Sequence, residues 1–242
     1  MQWLVFGDDF GAHPSTTWHL VRSLPTTDEV LWVNSIGMRS PGSGDLPRAV
    51  EKLRRRLRRR PSPPQGQAAA TSEPSRSGPK ITVIEPRVAP WHENRLVRWA
   101  NRQSLRSQLD QWRRADHSSR VVLAANPVAA DYLSTLTNDP VLYLRLDDYA
   151  GLPGVDASLV RRTEAQMLSQ AAAVVATSRP LLASLPATER QLYLPQGVDT
   201  AHFGRAHLDN DGKKVLGFFG LIEAWLDFEL IASVATARPD WD

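Results

Sequence analysis

Short runs of apolar, β-branched and aromatic residues alternate along this chain with longer segments in which apolar positions recur every three or four residues. The short runs fall at residues 2–7, 29–34, 81–85, 120–125, 141–147, 173–177, 191–194 and 214–219, and their composition predicts strands. Helical spacing appears at 15–23, 46–59, 93–115, 128–136, 157–171, 180–184 and 227–237. Strand and helix taking turns in this way predict an α/β protein with a parallel sheet. Runs such as VVLAA and AVVAT are apolar at successive positions, as expected of strands covered on both faces. The expected fold is therefore a doubly wound, Rossmann-like parallel sheet rather than a barrel, for which too few units are present.

Two breaks organise the chain. Residues 61–79, PSPPQGQAAATSEPSRSGP, hold too little apolar surface to offset their ordering entropy and read as a flexible insertion. Residues 196–213 are polar and turn-rich and read as an interdomain linker. The expected domains are thus 1–195, carrying the main sheet, and 214–242, the first strand–helix unit of a second domain. At 242 residues, with 42% hydrophobic and 23% charged, the chain is globular in composition. It has no cysteine, which excludes disulfides and thiolate chemistry and fits a reducing cytoplasm. No stretch is apolar enough to predict a membrane span, and the start lacks the basic and apolar regions of a secretion signal.

Charge changes the picture in one place. Residues 48–60 carry a local +7 in a chain whose formal charge is +3, so the remainder is net acidic. Leu46, Val50, Leu53 and Leu57 give this segment one apolar stripe, and Arg54, Arg55, Arg58 and Arg59 give it a dense cationic face. Such a face suits an anionic membrane surface or a lipid phosphate as well as it suits plain solvation. No nucleic-acid-reading module accompanies it, so specific nucleic-acid binding is not expected.

Two carboxylate pairs are placed where chemistry happens in such sheets, beyond the carboxyl ends of strands. The first strand runs into GDDFGAHPSTTWHL, which offers Asp8, Asp9, His13, Ser15 and Thr16 for hydroxyl groups of a ligand; the alternative is that Ser15 only caps a helix and the rest are solvated. The second pair, Asp147 and Asp148 in YLRLDDYAGLPGVD, ends another strand beside a tyrosine. A carboxylate there can act as general base on a hydroxyl, or serve only in the turn. An adjacent pair without further ligands is a poor metal site, and none is expected. His92 reads as an ordinary loop residue, and the helix after it as core packing.

With the segments in this order, the chain resembles the bacterial group-1-like glycosyltransferases of GT-B architecture, which build exopolysaccharides, teichuronic acids and lipid-linked glycans. GDDFGAHPSTTWHL followed by EVLWVNSIGMRSP is similar to the opening of their acceptor-side domain. LYLRLDDYAGLPGVD resembles their strand-end aspartate motif, and AAAVVATSRPLLASL with LYLPQGVDTAHF resembles the passage into their linker. VLGFFGLIEAWLDFELIASVATARPDW is similar to the first strand, glycine loop and helix of the donor-side domain. The resemblance covers nearly everything outside residues 61–79.

What the resemblance implies is transfer of a sugar from a nucleotide-sugar donor to a glycan or lipid-linked acceptor, in cell-envelope polysaccharide synthesis, with no further cofactor. Asp148 or its neighbour Asp147 would remove the acceptor proton; Asp8, Asp9, His13, Ser15 and Thr16 would hold the acceptor; Gly220, Glu223 and Trp225 would line the donor phosphates. Family members continue well past the ARPDW stretch, so the chain is expected to hold the acceptor domain and the start of the donor domain. The expected location is cytoplasmic, peripheral to the inner face of the membrane. The competing expectation is a non-catalytic Rossmann-like module that binds a glycan, a lipid phosphate or a partner subunit.

Overall fold

The computed structural model describes residues 1–39, 78–115, 119–188, 190–204, 214–218, 220, 222 and 226–241. Seven strands form one all-parallel sheet: β1 (Gln2–Phe6), β2 (Glu29–Val33), β3 (Lys80–Ile84), β4 (Arg120–Ala124), β5 (Val141–Arg145), β6 (Ala173–Ala176) and β7 (Gln191–Tyr193). The spatial order is β3-β2-β1-β4-β5-β6-β7. The fold is α/β and Rossmann-like, as the alternating pattern predicts. The helices among the described residues are α1 (Thr16–Arg22), α2 (Arg95–Gln108), α3 (Asp110–Arg114), α4 (Ala130–Leu136), α5 (Ala157–Gln170), α6 (Arg179–Ala183), α7 (Thr200–Phe203) and α8 (Phe228–Ala237). No helix among the described residues is long and apolar enough to cross a membrane.

Strands β1, β2, β4, β5 and β6 split their side chains between two cores, which is why their sequences are apolar at successive positions. Leu4, Phe6, Val122, Ala124, Val141 and Tyr143 point to one face and pack with Leu105, Tyr132, Leu159 and Met167 from the helices α2, α4 and α5. Val5, Trp32, Leu123, Leu144 and Val175 point to the other, where Val21 of α1 meets them and Trp18 packs alongside. Helix starts are fixed by side-chain caps: Ser15 accepts from Trp18 N, Asn94 from Leu96 N and Val97 N, and Asp156 from Ser158 N and Leu159 N.

Three expectations change. The helix expected over 93–115 is interrupted at Leu109, where φ is −97° and ψ is 7°, and α3 follows it; Leu105, Leu109 and Trp112 are all buried, so the break keeps its apolar side inward. The helix expected from 128 starts as a 3-10 turn, Pro127–Ala129, because Asn126 caps it and proline occupies the first position. The strand expected at 214–219 is not formed in its described residues 214–218, since a β-strand exists only by pairing and none of the described strands pairs with them. Residues 46–59 and most of 61–79 lie outside the described residues. The chain divides into two compact units, Met1–Gln196 and Gly197–Asp242. In the second, α8 starts at an Asp227 cap and buries none of its residues.

Two buried polar networks tie the helices to the sheet. Arg145, the last residue of β5, donates from Nε to Glu164 Oε1 at 2.8 Å and from Nη1 to Leu181 O and Ser184 Oγ, while the Tyr143 hydroxyl donates to the same Glu164 oxygen at 2.8 Å. Between α4 and α5, Arg162 grips Asp131 with two bonds of 2.9 and 3.0 Å. His92 is not an ordinary loop residue: it is 1% exposed, and its Nδ1 lies 3.3 Å from the Tyr132 hydroxyl. Burial pushes its pKa down, against the raising pull of Asp131.

Removing Glu164 strands a buried guanidinium. Glu164→Ala is expected to cost roughly 3 kcal/mol or more in urea unfolding, well beyond a surface change. For His92, the depressed folded value means that its contribution is complete above the unfolded value of about 6.5 and is lost as pH falls through the folded value. His92→Gln is accordingly expected to flatten the fall of stability on the acid side of pH 6.5, measured by denaturation at a series of pH values.

Candidate functional site

Winding reverses between β1 and β4, since β2 and β3 lie on one side of β1 and β4 to β7 on the other. At such a point the connections leaving adjacent strands diverge to opposite faces and a crevice opens at the carboxyl edge. The loop after β1 and the loop after β5 both meet that edge. Their strands are two steps apart, about 10 Å.

The loop after β1 is strapped to the end of β2. Trp32 Nε1 donates to Asp8 O at 2.8 Å, Phe10 N donates to Asn34 Oδ1 at 2.9 Å, and Ser35 donates to Asp9 Oδ1 from both N, at 3.1 Å, and Oγ, at 2.6 Å. The Phe10 ring meets Trp32 edge to face at 5.4 Å. Gly7 is required here because a Cβ would lie 2.4 Å from Trp32 Cζ2. The loop is thereby held to the end of β2.

The chain leaving β2 then crosses this edge. Asn126, at the end of β4, donates from Nδ2 to Ile36 O at 2.8 Å, and Asp156 N donates to Met38 O at 2.9 Å. Arg39 follows, its guanidinium against Gly154, where a Cβ would come within 3.2 Å of it. Gly154 takes a φ of +70°, and that conformation also favours glycine.

On the β5 side, Asp147 and Asp148 are exposed, and Asp147 Oδ1 accepts from Asp148 N at 2.9 Å. Tyr149 follows in a 3-10 turn, Tyr149–Gly151, and its hydroxyl donates to Ala125 O at 2.9 Å, so the β5 loop is tied back to β4. Burial pushes the Tyr149 phenol well up, and the carboxylates of Asp8 and Asp147 push it further. It stays protonated and remains a donor.

The structure therefore brings Asp8, Asp147, Asp148 and the 9–16 loop to one edge of the sheet, with different duties. Asp9 is engaged with Ser35, and Ser15 caps α1. Asp8 and His13 are exposed, and Thr16 is half-buried. Gly220 belongs to the second unit. Glu223, Trp225, Arg54, Arg55, Arg58 and Arg59 lie outside the described residues. The sequence reading missed Trp32, Asn34, Asn126 and Arg39; only the asparagines next to strand ends carry a local signal.

The described residues include no cluster of three or more potential metal ligands. A cavity of about 220 Å³ lies at the opposite edge, lined by Leu168, Ala171, Val174, Pro186 and Arg190, and Arg190 already donates to Ala171 O. Ser169, Thr188 and Gln191 also line it, but it lies away from both aspartate-bearing loops, and the carboxyl edge at the winding reversal is preferred on its topology and its carboxylates. No family model matches this chain, and no curated protein matches it as a relative.

Gly7→Ala is expected to cost about 2 kcal/mol through overpacking against Trp32, read as a lower urea midpoint. An unchanged midpoint would mean that the loop after β1 is not pinned to β2 as described.

Proposed function

We propose that this protein is a glycosyltransferase of GT-B type, moving a sugar from a nucleotide-sugar donor to a hydroxyl of a glycan or lipid-linked acceptor at the cytoplasmic side of the membrane. The observation that carries the reading is that Asp8, Asp147 and Asp148 follow β1 and β5 at the carboxyl edge beside the winding reversal, with Tyr149 holding the β5 loop against β4. The resemblance in motif order supplies the reaction class.

In this reading the acceptor sugar enters the crevice between the 8–13 loop and the 147–151 turn. Asp148, or Asp147 beside it, takes the proton of the acceptor hydroxyl as its oxygen forms a bond to the anomeric carbon and the bond to the donor diphosphate breaks. Both carboxylates are exposed and free to reach a substrate. Asp8 accepts a second hydroxyl and orients the ring; His13 and Thr16 extend the same surface. Gly220, Glu223 and Trp225 are the candidates for the donor diphosphate by the resemblance alone. Orientation of the acceptor by fixed loops supplies much of the rate advantage.

One observation favours a binding role instead. Helix α8 buries no residue, and none of the second unit's described residues is buried, so no core on which to hold a nucleotide is seen among them. The same crevice would then recognise a glycan without turnover.

Sugar transfer from a panel of nucleotide sugars to envelope glycans tests the proposal. Asp148→Asn or Asp147→Asn is expected to lower kcat by about a hundredfold or more, as loss of a general base does, while Asp8→Asn mainly raises the acceptor KM. Turnover unaffected by either base variant would remove the assignment. Glycan binding by calorimetry with no transfer from any donor would favour the binding role.

A further inference from the structure

Helix α2 has a second face that the described residues of its unit leave uncovered. Asn101 and Leu105 are buried against the domain, yet Leu96 is 78% exposed and Trp99 61% exposed. At 3.6 residues per turn, Arg95, Leu96, Trp99 and Arg106 share an outward arc of about 100°. All four are exposed, with the tryptophan between the two arginines and the leucine. The fourteen residues of α2 include four arginines and no acidic residue. Arg98 is used by His92 O and Arg102 by Asp131, but Arg95 and Arg106 form no ion pair among the described residues.

We propose that this face docks on an anionic phospholipid bilayer. An exposed tryptophan and leucine flanked by arginines that form no ion pair among the described residues match the interface of such a membrane. The indole and leucine enter the headgroup boundary, and the guanidinium groups stay among lipid phosphates. The missing acidic residues matter, because a carboxylate on this arc would be repelled by the same surface. Its place in the fold adds to the argument. The strands are parallel, so the connection from β3 delivers the start of α2 to the carboxyl edge of the sheet. Arg102, seven residues into α2, already reaches Asp131 O in the first turn of α4. The turns bearing Leu96 and Trp99 thus stand at the edge that holds the candidate site. That the surface presents a lipid-borne acceptor to that site is a consequence that rests on the sugar-transfer reading; the surface itself does not.

Partition of the full chain onto phosphatidylcholine vesicles, with and without phosphatidylglycerol, tests the surface. Binding is expected only with the anionic lipid. Arg95→Gln and Arg106→Gln are each expected to weaken it about fivefold at low salt, and Leu96→Ser with Trp99→Ser to weaken it at least tenfold, with unchanged melting temperatures. Brominated lipid chains are expected to quench tryptophan fluorescence of the natural chain and to lose most of that quenching in the conservative Trp99→Phe variant. The proposal is overturned if the Leu96, Trp99 pair changes partition by less than twofold, if quenching survives in Trp99→Phe, or if the pair instead abolishes self-association of the chain. Vesicle binding without sugar transfer would count against the catalytic reading alone. Transfer to soluble glycans without vesicle binding would count against this surface alone.

Discussion

Because β2 and β3 are laid on one side of β1 and β4 to β7 on the other, the polypeptide leaving β1 and the polypeptide leaving β4 turn to opposite faces. Nothing but loops can then close the edge between them. The remaining features of the site follow from how that opening is managed. Trp32, Asn34 and Ser35 draw the first loop towards β2, and Asn126 fastens the segment after β2 across the edge. Tyr149 ties the β5 turn to the last residues of β4. The opening stays between elements that are each held by hydrogen bonds to a strand end.

The strength of those anchors comes from burial. Trp32 is 1% exposed and lies against Gly7, so neither can change without the other. Arg145 ends β5 and is held by α5 and α6, which fixes the strand just before Asp147 and Asp148. A site on loops gains rigidity in this way from the layers beneath it. The carboxylates themselves remain exposed, where they can exchange partners with a ligand.

Much of the fold was legible in the chain, because covering a sheet on both faces leaves a mark that needs no knowledge of contacts. VVLAA and AVVAT could hardly be read otherwise, and the strands at 120–124 and 173–176 form where those runs lie. The strand expected at 214–219 had the same local mark and failed, since a run of apolar residues does not supply a neighbour. The break at Leu109 has no glycine or proline to announce it. Burial of His92 depends on Tyr132, forty residues away in sequence.

For the site, the aspartates were visible as adjacent pairs after apolar runs, whereas the groups that position them were not. Asn126 and Ile36 are ninety residues apart. Trp32 in EVLWV reads as one more core aromatic, and only the folded chain reveals its indole donating to Asp8 O. Exposure on α2 was likewise hidden: Leu96 and Trp99 have core-like spacing, and the helix happens to bury a different side.

The claim on which the rest depends is that a sugar acceptor binds in the opening between the loops after β1 and β5. Hydrogen exchange read by mass spectrometry, with and without saturating acceptor glycan, tests it most directly. The account predicts slowed exchange in peptides covering 7–13, 34–38 and 146–152, with none at the opposite edge around 24–28, 137–140 and 186–191. Protection confined to that opposite edge, or spread over the outer faces of the helices, would contradict it.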